Sequence, residues 1–194
     1  MGAAVTIPTS LTWTLPAWVP EVVAGHGPVG ASDADRMALV LSLGAAQLEH
    51  GTGGPFAAAV FADDTHETLA VGVNLVVPQS ACIAHAEMVA FALAGKRLGS
   101  FDLGVNGPVT LVTSTEPCAM CIGAVAWSGV RRVVYGSADA DARAIGFDEG
   151  DKRADWIDAL RARNVAVTGG VLADEARNLL NAYAGPVYNA WGAP

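Results

Sequence analysis

Between residues 33 and 183 the apolar positions switch repeatedly between helical and strand spacing. Over 33–49, Met37, Leu41 and Leu48 are among the apolar positions of a helix; Ser32 stands where an N-cap belongs, and Gly51, Gly53, Gly54 and Pro55 end the run. Residues 56–61 and 69–77 read as two strands, and the polar stretch 63–68 between them reads as a hairpin turn. A second helix is predicted over 84–98, stopping near Gly99. The β-branched run 109–113 is a strand, and Glu116-Pro117 opens a third helix over 118–128, with proline at a helix-start position. Residues 132–135 form a fourth strand and 136–150 a loop. A helix over 154–163, a strand over 165–168 and a helix over 172–183 complete the order α, β, β, α, β, α, β, α, β, α.

That alternation implies an α/β fold: one five-stranded sheet covered by helices on both faces, a three-layer αβα sandwich. The hairpin makes strands one and two antiparallel, whereas the helix between strands four and five allows them to run parallel, so the sheet is mixed. Residues 1–31, rich in Pro, Gly, Trp and Val without a steady period, read as an extended arm. Residues 32–184 form the domain and 185–194 a tail. At 194 residues the chain accommodates one complete domain.

Composition narrows the function. Hydrophobic residues make up 52% and charged residues 15%, enough for a large core and lean enough in charge to suggest surface buried in an oligomer. The net charge of −8 and the absence of any basic run longer than a pair (Lys96-Arg97, Arg131-Arg132, Lys152-Arg153) argue against a polynucleotide partner. Three cysteines make no disulfide framework and fit a reducing compartment. No Lys or Arg precedes Arg36, prolines interrupt the apolar N-terminal stretch, and no apolar run reaches the roughly 20 residues of a membrane span. The expected location is the cytoplasm. The myristoylation-like pattern Met1-Gly2-Ala3-Ala4-Val5-Thr6 reads as a chance match in a small-residue leader.

Two short motifs carry chemistry: His85-Ala86-Glu87 and Pro117-Cys118-Ala119-Met120-Cys121, each at the start of a predicted helix. Catalytic zinc takes three protein ligands and keeps one open position for water, and His85, Cys118 and Cys121 supply such a set. The cysteines, three apart on a helix, present both sulfurs on one face. Helix N-termini favour thiolate over thiol. Glu87 lies beside the ligand set without belonging to it, where a base that moves protons between water and a leaving amine must sit. Taken singly, His-x-Glu is an ordinary surface pair, and Cys-x-x-Cys also suits a redox centre or a structural zinc site. Together, in this order, they are the signature of zinc deaminases. Cys82, the nearest further thiol, is expected to be a small buried residue.

The sequence resembles the cytidine deaminase superfamily, and within it the bacterial guanine deaminases, including relatives that act on the triazine ammeline. The resemblance spans about residues 33–190. It rests on Gly53-Gly54-Pro55-Phe56, Asn74, His85-Ala86-Glu87, Thr113-Ser114-Thr115-Glu116-Pro117-Cys118, Cys121 and Ala126-Trp127. It continues through Ile145-Gly146-Phe147-Asp148-Glu149-Gly150 and Val187-Tyr188-Asn189-Ala190. It implies a cytidine deaminase-like fold, zinc as cofactor and a free nucleobase as substrate, with guanine converted to xanthine and ammonia. It assigns Asn74 to hydrogen bonds with the base, Phe56 and Phe147 to a sandwich around the ring beside His85 and Ala86, and Glu149 to a second proton-transfer role. Trp127 would wall the pocket. Tyr188 belongs to a tail that closes the neighbouring subunit's site, so a homodimer with C-terminal segment exchange is implied. The alternatives left open are a deaminase of cytosine, cytidine or another aminated heterocycle, a tRNA adenosine deaminase, and a zinc-stabilised module without catalysis. The ending Trp191-Gly192-Ala193-Pro194 and the Trp-bearing arm (Trp13, Trp18) depart from the branch's motifs.

Overall fold

A computed structural model describes residues 7–188. The myristoylation-like pattern at 1–6 and the tail beyond Tyr188, including Trp191, lie outside the described residues. Twelve elements follow in order: α1 Val19–His26, α2 Asp33–His50, β1 Ala57–Ala62, β2 Thr68–Val73, α3 Ala86–Leu98, β3 Val109–Thr115, α4 Ala119–Ser128, β4 Arg132–Ser137, α5 Asp139–Ala144, α6 Trp156–Arg161, β5 Ala166–Thr168 and α7 Ala173–Asn181. The sheet runs β2-β1-β3-β4-β5. β1 is antiparallel to both β2 and β3, and β3, β4 and β5 are mutually parallel. The expected mixed sandwich is therefore present.

The local signals explain the helices. Ser32 caps α2, its hydroxyl accepting from the Asp35 N–H at 3.1 Å, and Gly51 closes the same helix in the left-handed conformation (φ 60°). One face of the sheet packs under α2 through Met37, Leu43, Val112 and Val134. The other carries α3, α4 and α6 through Val60, Ala90, Val125, Val133 and Trp156. β3, central in the sheet, is buried along its whole length, which its run rich in β-branched residues anticipates.

Four expectations fail. The arm is not extended throughout: α1 lies within it, with Pro20 in its first turn and Trp18 and Val19 buried in the core. Trp18 stacks on His50 at 5.5 Å and donates its indole N–H to Thr52 at 3.1 Å. Those tertiary contacts stabilise an eight-residue helix that local propensity alone leaves marginal. The predicted loop 136–150 contains α5, and β3 and β4 each run two residues further than expected, to Thr115 and Ser137. Strand two ends at Val73, four residues early, because Asn74 turns the chain, its side-chain oxygen accepting from the Val76 N–H at 3.3 Å. No helix among the described residues is long and apolar enough to cross a membrane.

Candidate active site

The topology gathers the chemistry at one edge. Because β1 runs antiparallel to β3, Phe56, just ahead of β1, lies by the C-terminal end of β3, and Asn74, just past β2, donates its backbone N–H to the Phe56 carbonyl at 3.0 Å. α3 and α4 begin at the same edge. His85 is the N-cap of α3 and Cys118 the N-cap of α4, both with extended backbone, while Cys121 sits one turn into α4. α3 can press close to the sheet because residue 72 is a glycine: a Cβ there would sit against the Ala86 carbonyl and 2.6 Å from the Ala90 nitrogen. The position of His85 and Glu87 is thus fixed by backbone packed on backbone.

The ligand atoms of His85, Cys118 and Cys121 all lie within 4.8 Å of one another. His85 Nδ1 is 3.4 Å from the Cys118 sulfur and 3.8 Å from that of Cys121. Tetrahedral bonds to one zinc ion put such a nitrogen and sulfur about 3.5 Å apart, so the three side chains fit a single ion with a fourth position open. Their acid–base state fits too. Cys118 is held as a thiolate, its pKa lowered to about 4 by a hydrogen bond from Cys121, with further help from His85. The neighbouring Cys118 sulfur, followed by burial, pushes the Cys121 thiol up. Burial alone would lower the His85 pKa, but the Cys118 thiolate raises it above the usual value. One shared proton among closely spaced ligands is what a divalent cation displaces. Cys82 is no fourth ligand: it is exposed rather than buried, because its segment lies in the turn between β2 and α3, outside the core.

Glu87 is buried beside this cluster. Its two carboxylate oxygens accept from the Thr113 hydroxyl at 3.1 Å and the Cys121 thiol at 3.4 Å. Burial is the main reason its pKa rises, followed by the Cys118 thiolate. Glu149, also buried, faces the same cavity, and burial with the Cys118 charge lifts its pKa to about 8 against the opposing pull of Lys152. Its carbonyl oxygen accepts the first N–H of α4, from Ala119 at 3.0 Å, so the loop carrying Phe147 and Glu149 is docked on the helix of the metal ligands. The cavity they share is lined by Phe56, Asn74, His85, Glu87, Glu149 and their neighbours and encloses about 20 Å³. That is room on the scale of a water molecule and not of a heterocyclic ring.

Tyr188 packs against two of the lining residues, Asn74 and Phe147. Asn74 donates its side-chain amide to the Tyr188 oxygen at 2.5 Å, and Gly54 leaves space for the ring, since a Cβ there would stand 3.0 Å from Tyr188. Phe147 meets Tyr188 edge-on at 5.4 Å and Phe56 at 4.8 Å. Phe56 and Phe147 therefore touch each other edge to face, and the expected slot between two parallel rings is not formed. Ala86 is fully buried in the core; as the first residue of α3 it offers its main-chain N–H and no side chain. Trp127 departs furthest from expectation. It is 85% exposed on α4 and lines a separate groove with Met88, Phe91 and Phe101, because six residues past Cys121 the helix has turned its side chain away from the site. Sequence reasoning gave no role to Thr113 or Lys152. Only the three-dimensional contacts with Glu87 and Glu149 single them out.

Residues 32–137, more than half of the chain, match the family of the cytidine and deoxycytidylate deaminase zinc-binding region, across both motifs. The chain belongs to this family. Zinc is accordingly the cofactor, and His85, Cys118 and Cys121 are positioned to bind it. The structure of guanine deaminase from Nitrosomonas europaea superposes with a TM-score of 0.83 at 42% identity, covering 91% of this chain and 97% of that one. A solved structure in complex with 2,6-diaminopurine superposes equally well, with a TM-score of 0.83 and 45% identity over 93% of this chain and 97% of the other. Among sequence relatives, the guanine deaminase of Bacillus subtilis is 39% identical over 99 residues, which is 51% of this chain and 60% of that enzyme. The tRNA-specific adenosine deaminase of Haemophilus influenzae is 35% identical over 126 residues, 64% of this chain and 68% of that enzyme. The family fold and its zinc chemistry thus extend to this protein, which is a zinc-dependent hydrolase of the deaminase type.

Proposed function

We infer that this deaminase acts on a free aminated nucleobase, with guanine as the preferred substrate and xanthine and ammonia as products. The observation that carries the reading is the pairing of two buried carboxyl groups, Glu87 and Glu149, on one cavity with the zinc ligands. The likeness to guanine deaminases over nearly the whole chain supports the choice of base.

Zinc supplies a Lewis acid that makes water a competent nucleophile near neutral pH. Glu87, oriented by Thr113, accepts a proton from the attacking water. The water oxygen bonds to the amino-bearing ring carbon, the amine takes one proton from Glu149, and the carbon–nitrogen bond breaks to release ammonia. Glu87 passes the proton it took from water to Glu149, and the hydroxyl left on the ring shifts its own proton to the ring nitrogen to give the keto product. A group with a pKa near 8 holds its proton at neutral pH and gives it up readily to an amine, which suits Glu149 to that delivery. Asn74 offers a donor and an acceptor to the edge of the base, and Tyr188 must release Asn74 before a ring can take its place. Phe56 and Phe147 then flank the ring, with the main-chain N–H of Ala86 close by.

A homodimer is part of the proposal. α4 carries no charged residue and leaves Trp127 exposed next to the exposed Phe101, a face suited to a second copy of the chain. Exchange of the C-terminal segment between copies is tested by mixing Asn74→Cys chains with Tyr188→Cys chains under oxidation: a cross-linked dimer on a non-reducing gel supports exchange, and none refutes it. The likeness to a tRNA-specific enzyme favours a second reading, but a net charge of −8 weighs against a polynucleotide substrate.

The deciding assay is ammonia release by the zinc-loaded protein on guanine beside ammeline, cytosine, cytidine, adenine and guanosine, with tRNA binding measured in parallel. Guanine turnover well above the others is expected. Glu87→Gln should retain zinc and lose at least roughly a hundredfold in turnover; an active Glu87→Gln protein overturns the mechanism.

A further inference from the structure

Lys152 is an ammonium buried next to the site with no role in the reading above. Its side chain is 8% exposed, and its Nζ lies 2.5 Å from Asp139 Oδ1, 3.2 Å from Glu116 Oε1 and 4.0 Å from Glu149 Oε2. The three carboxylates come from three places: Glu116 stands two residues ahead of the metal ligand Cys118, Asp139 opens α5, and Glu149 sits on the loop that follows α5. Glu116 is also joined to α5 directly, its other oxygen accepting the Asp139 N–H at 3.2 Å. Among the described residues, Lys152 is the cation within ion-pair distance of Glu149.

Burying an ammonium costs several kcal/mol unless it is well paired, so a lysine sunk among three acids contributes little net stability. What it provides is geometry. A single point charge orients the dipole of the Glu149 carboxyl, whose Oε2 lies 4.0 Å from the ammonium, toward the wall formed by Glu116 and Asp139, and away from the other directions open to a flexible side chain. We propose that Lys152 is a positioning residue for Glu149: its ammonium, anchored on Asp139 and Glu116, holds the Glu149 carboxyl at the cavity and ties the substrate-facing loop to the segment that enters the metal-binding helix. The proposal rests on Glu149 acting on the substrate, as inferred above.

A double-mutant cycle on the full-length, zinc-loaded protein tests it, with kcat and KM for guanine, zinc stoichiometry and Tm measured for each chain. Lys152→Met is expected to lower kcat by roughly tenfold or more, the usual effect of removing a partner that orients a functional group. KM and zinc content should stay near those of the parent, and Lys152→Arg, which keeps the charge, should recover part of the loss. In a Glu149→Ala background the same Lys152→Met change should alter kcat little, because the group it positions is gone. An equal loss in both backgrounds overturns the proposal while leaving Glu149 its role. Parental turnover by Glu149→Ala alone removes the role of Glu149 and the positioning role with it. A crystal structure of Lys152→Met gives a readout independent of turnover: the Glu149 carboxyl should have left the cavity wall with the three zinc ligands unmoved, and an unmoved Glu149 refutes the idea. If Lys152→Met does not fold, Asp139→Asn loosens the same ammonium from the far side and enters the cycle in its place under the same criteria.

Discussion

Gly72 offers the sharpest test of how the sheet sets the position of the catalytic helix. A Cβ at this position would lie against the Ala86 carbonyl oxygen and 2.6 Å from the Ala90 nitrogen. Both are backbone atoms of α3, so no side-chain rotation can relieve the contact. Comfortable separations begin near 3.5 Å, so Gly72→Ala forces α3 and β2 apart by about 1 Å. Overpacking of this kind costs about 1–3 kcal/mol. The lower unfolded-state entropy of alanine gives back only about 0.4–1 kcal/mol, so the overpacking term wins. For a chain of this size the expected fall in Tm is a few degrees, at roughly 2–4 °C per kcal/mol. Activity should suffer more than stability, because His85 and Glu87 ride on the first turn of α3. A displacement of about 1 Å in catalytic groups costs on the order of 100-fold in rate. Thermal unfolding, zinc stoichiometry and kcat for guanine release of ammonia would be measured on the same preparation. Parental Tm and parental kcat together would refute the reasoning, since they would mean that α3 is not held by this contact.

Thr113→Val keeps shape and removes the hydroxyl that donates to Glu87. A hydrogen bond to a charged group is worth about 1.5–3 kcal/mol, so kcat should drop by roughly 10- to 100-fold with zinc retained; a change under twofold would show that Thr113 does not orient the base. Thiol titration separates the cysteines: in the zinc-loaded protein the exposed Cys82 should react first, and Cys118 and Cys121 only after a chelator strips the metal and abolishes turnover. Three fast thiols before chelation would argue against metal ligation. The Asp33–Arg132 pair governs a modest pH effect. A hydrogen bond from Arg132 is the main cause of the lowered Asp33 pKa, so its contribution is present above the ordinary carboxylate range and lost as pH falls through the lowered value. Both side chains are partly exposed, which limits the pair to about 1 kcal/mol or less. The Tm deficit of Asp33→Asn should therefore be visible at neutral pH and shrink below about pH 4. A deficit that grows in acid would reverse the assignment.

The parts of the fold that were legible in the sequence are those stabilised by local pattern. Ser32 and Gly51 delimit α2, and the motifs His85-Ala86-Glu87 and Pro117–Cys121 fall at helix starts, as their chemistry demands. What escaped depends on partners distant in the chain. α1 forms because Trp18 finds His50 and Thr52, and α5 is six residues of Asp, Ala and Arg with no apolar period to mark it. Lys152, next to Arg153, reads as half of a surface basic pair, yet it is sunk against Glu116, 36 positions earlier. Trp127 follows an alanine in a stretch shared with the family, so its family context argues for the pocket. The helical turn between it and Cys121 carries it to the opposite side. Side-chain direction, unlike element type, has no signature in composition.

The main-chain bond from Ala119 to the carbonyl of Glu149 bears on how such a protein can diversify. Docking of the loop on α4 at this point uses backbone atoms alone, so side chains on the loop can change without undoing that hydrogen bond. The metal ligands sit on the other partner of the bond and are untouched by such a change. Variation at position 147, which flanks the ring, can therefore explore new ring systems while the zinc ligands, Glu87 and Glu149 are inherited intact. In a library built on this chain, position 147 is where altered preference would be sought before Glu149 and the motifs at 85–87 and 117–121 are disturbed.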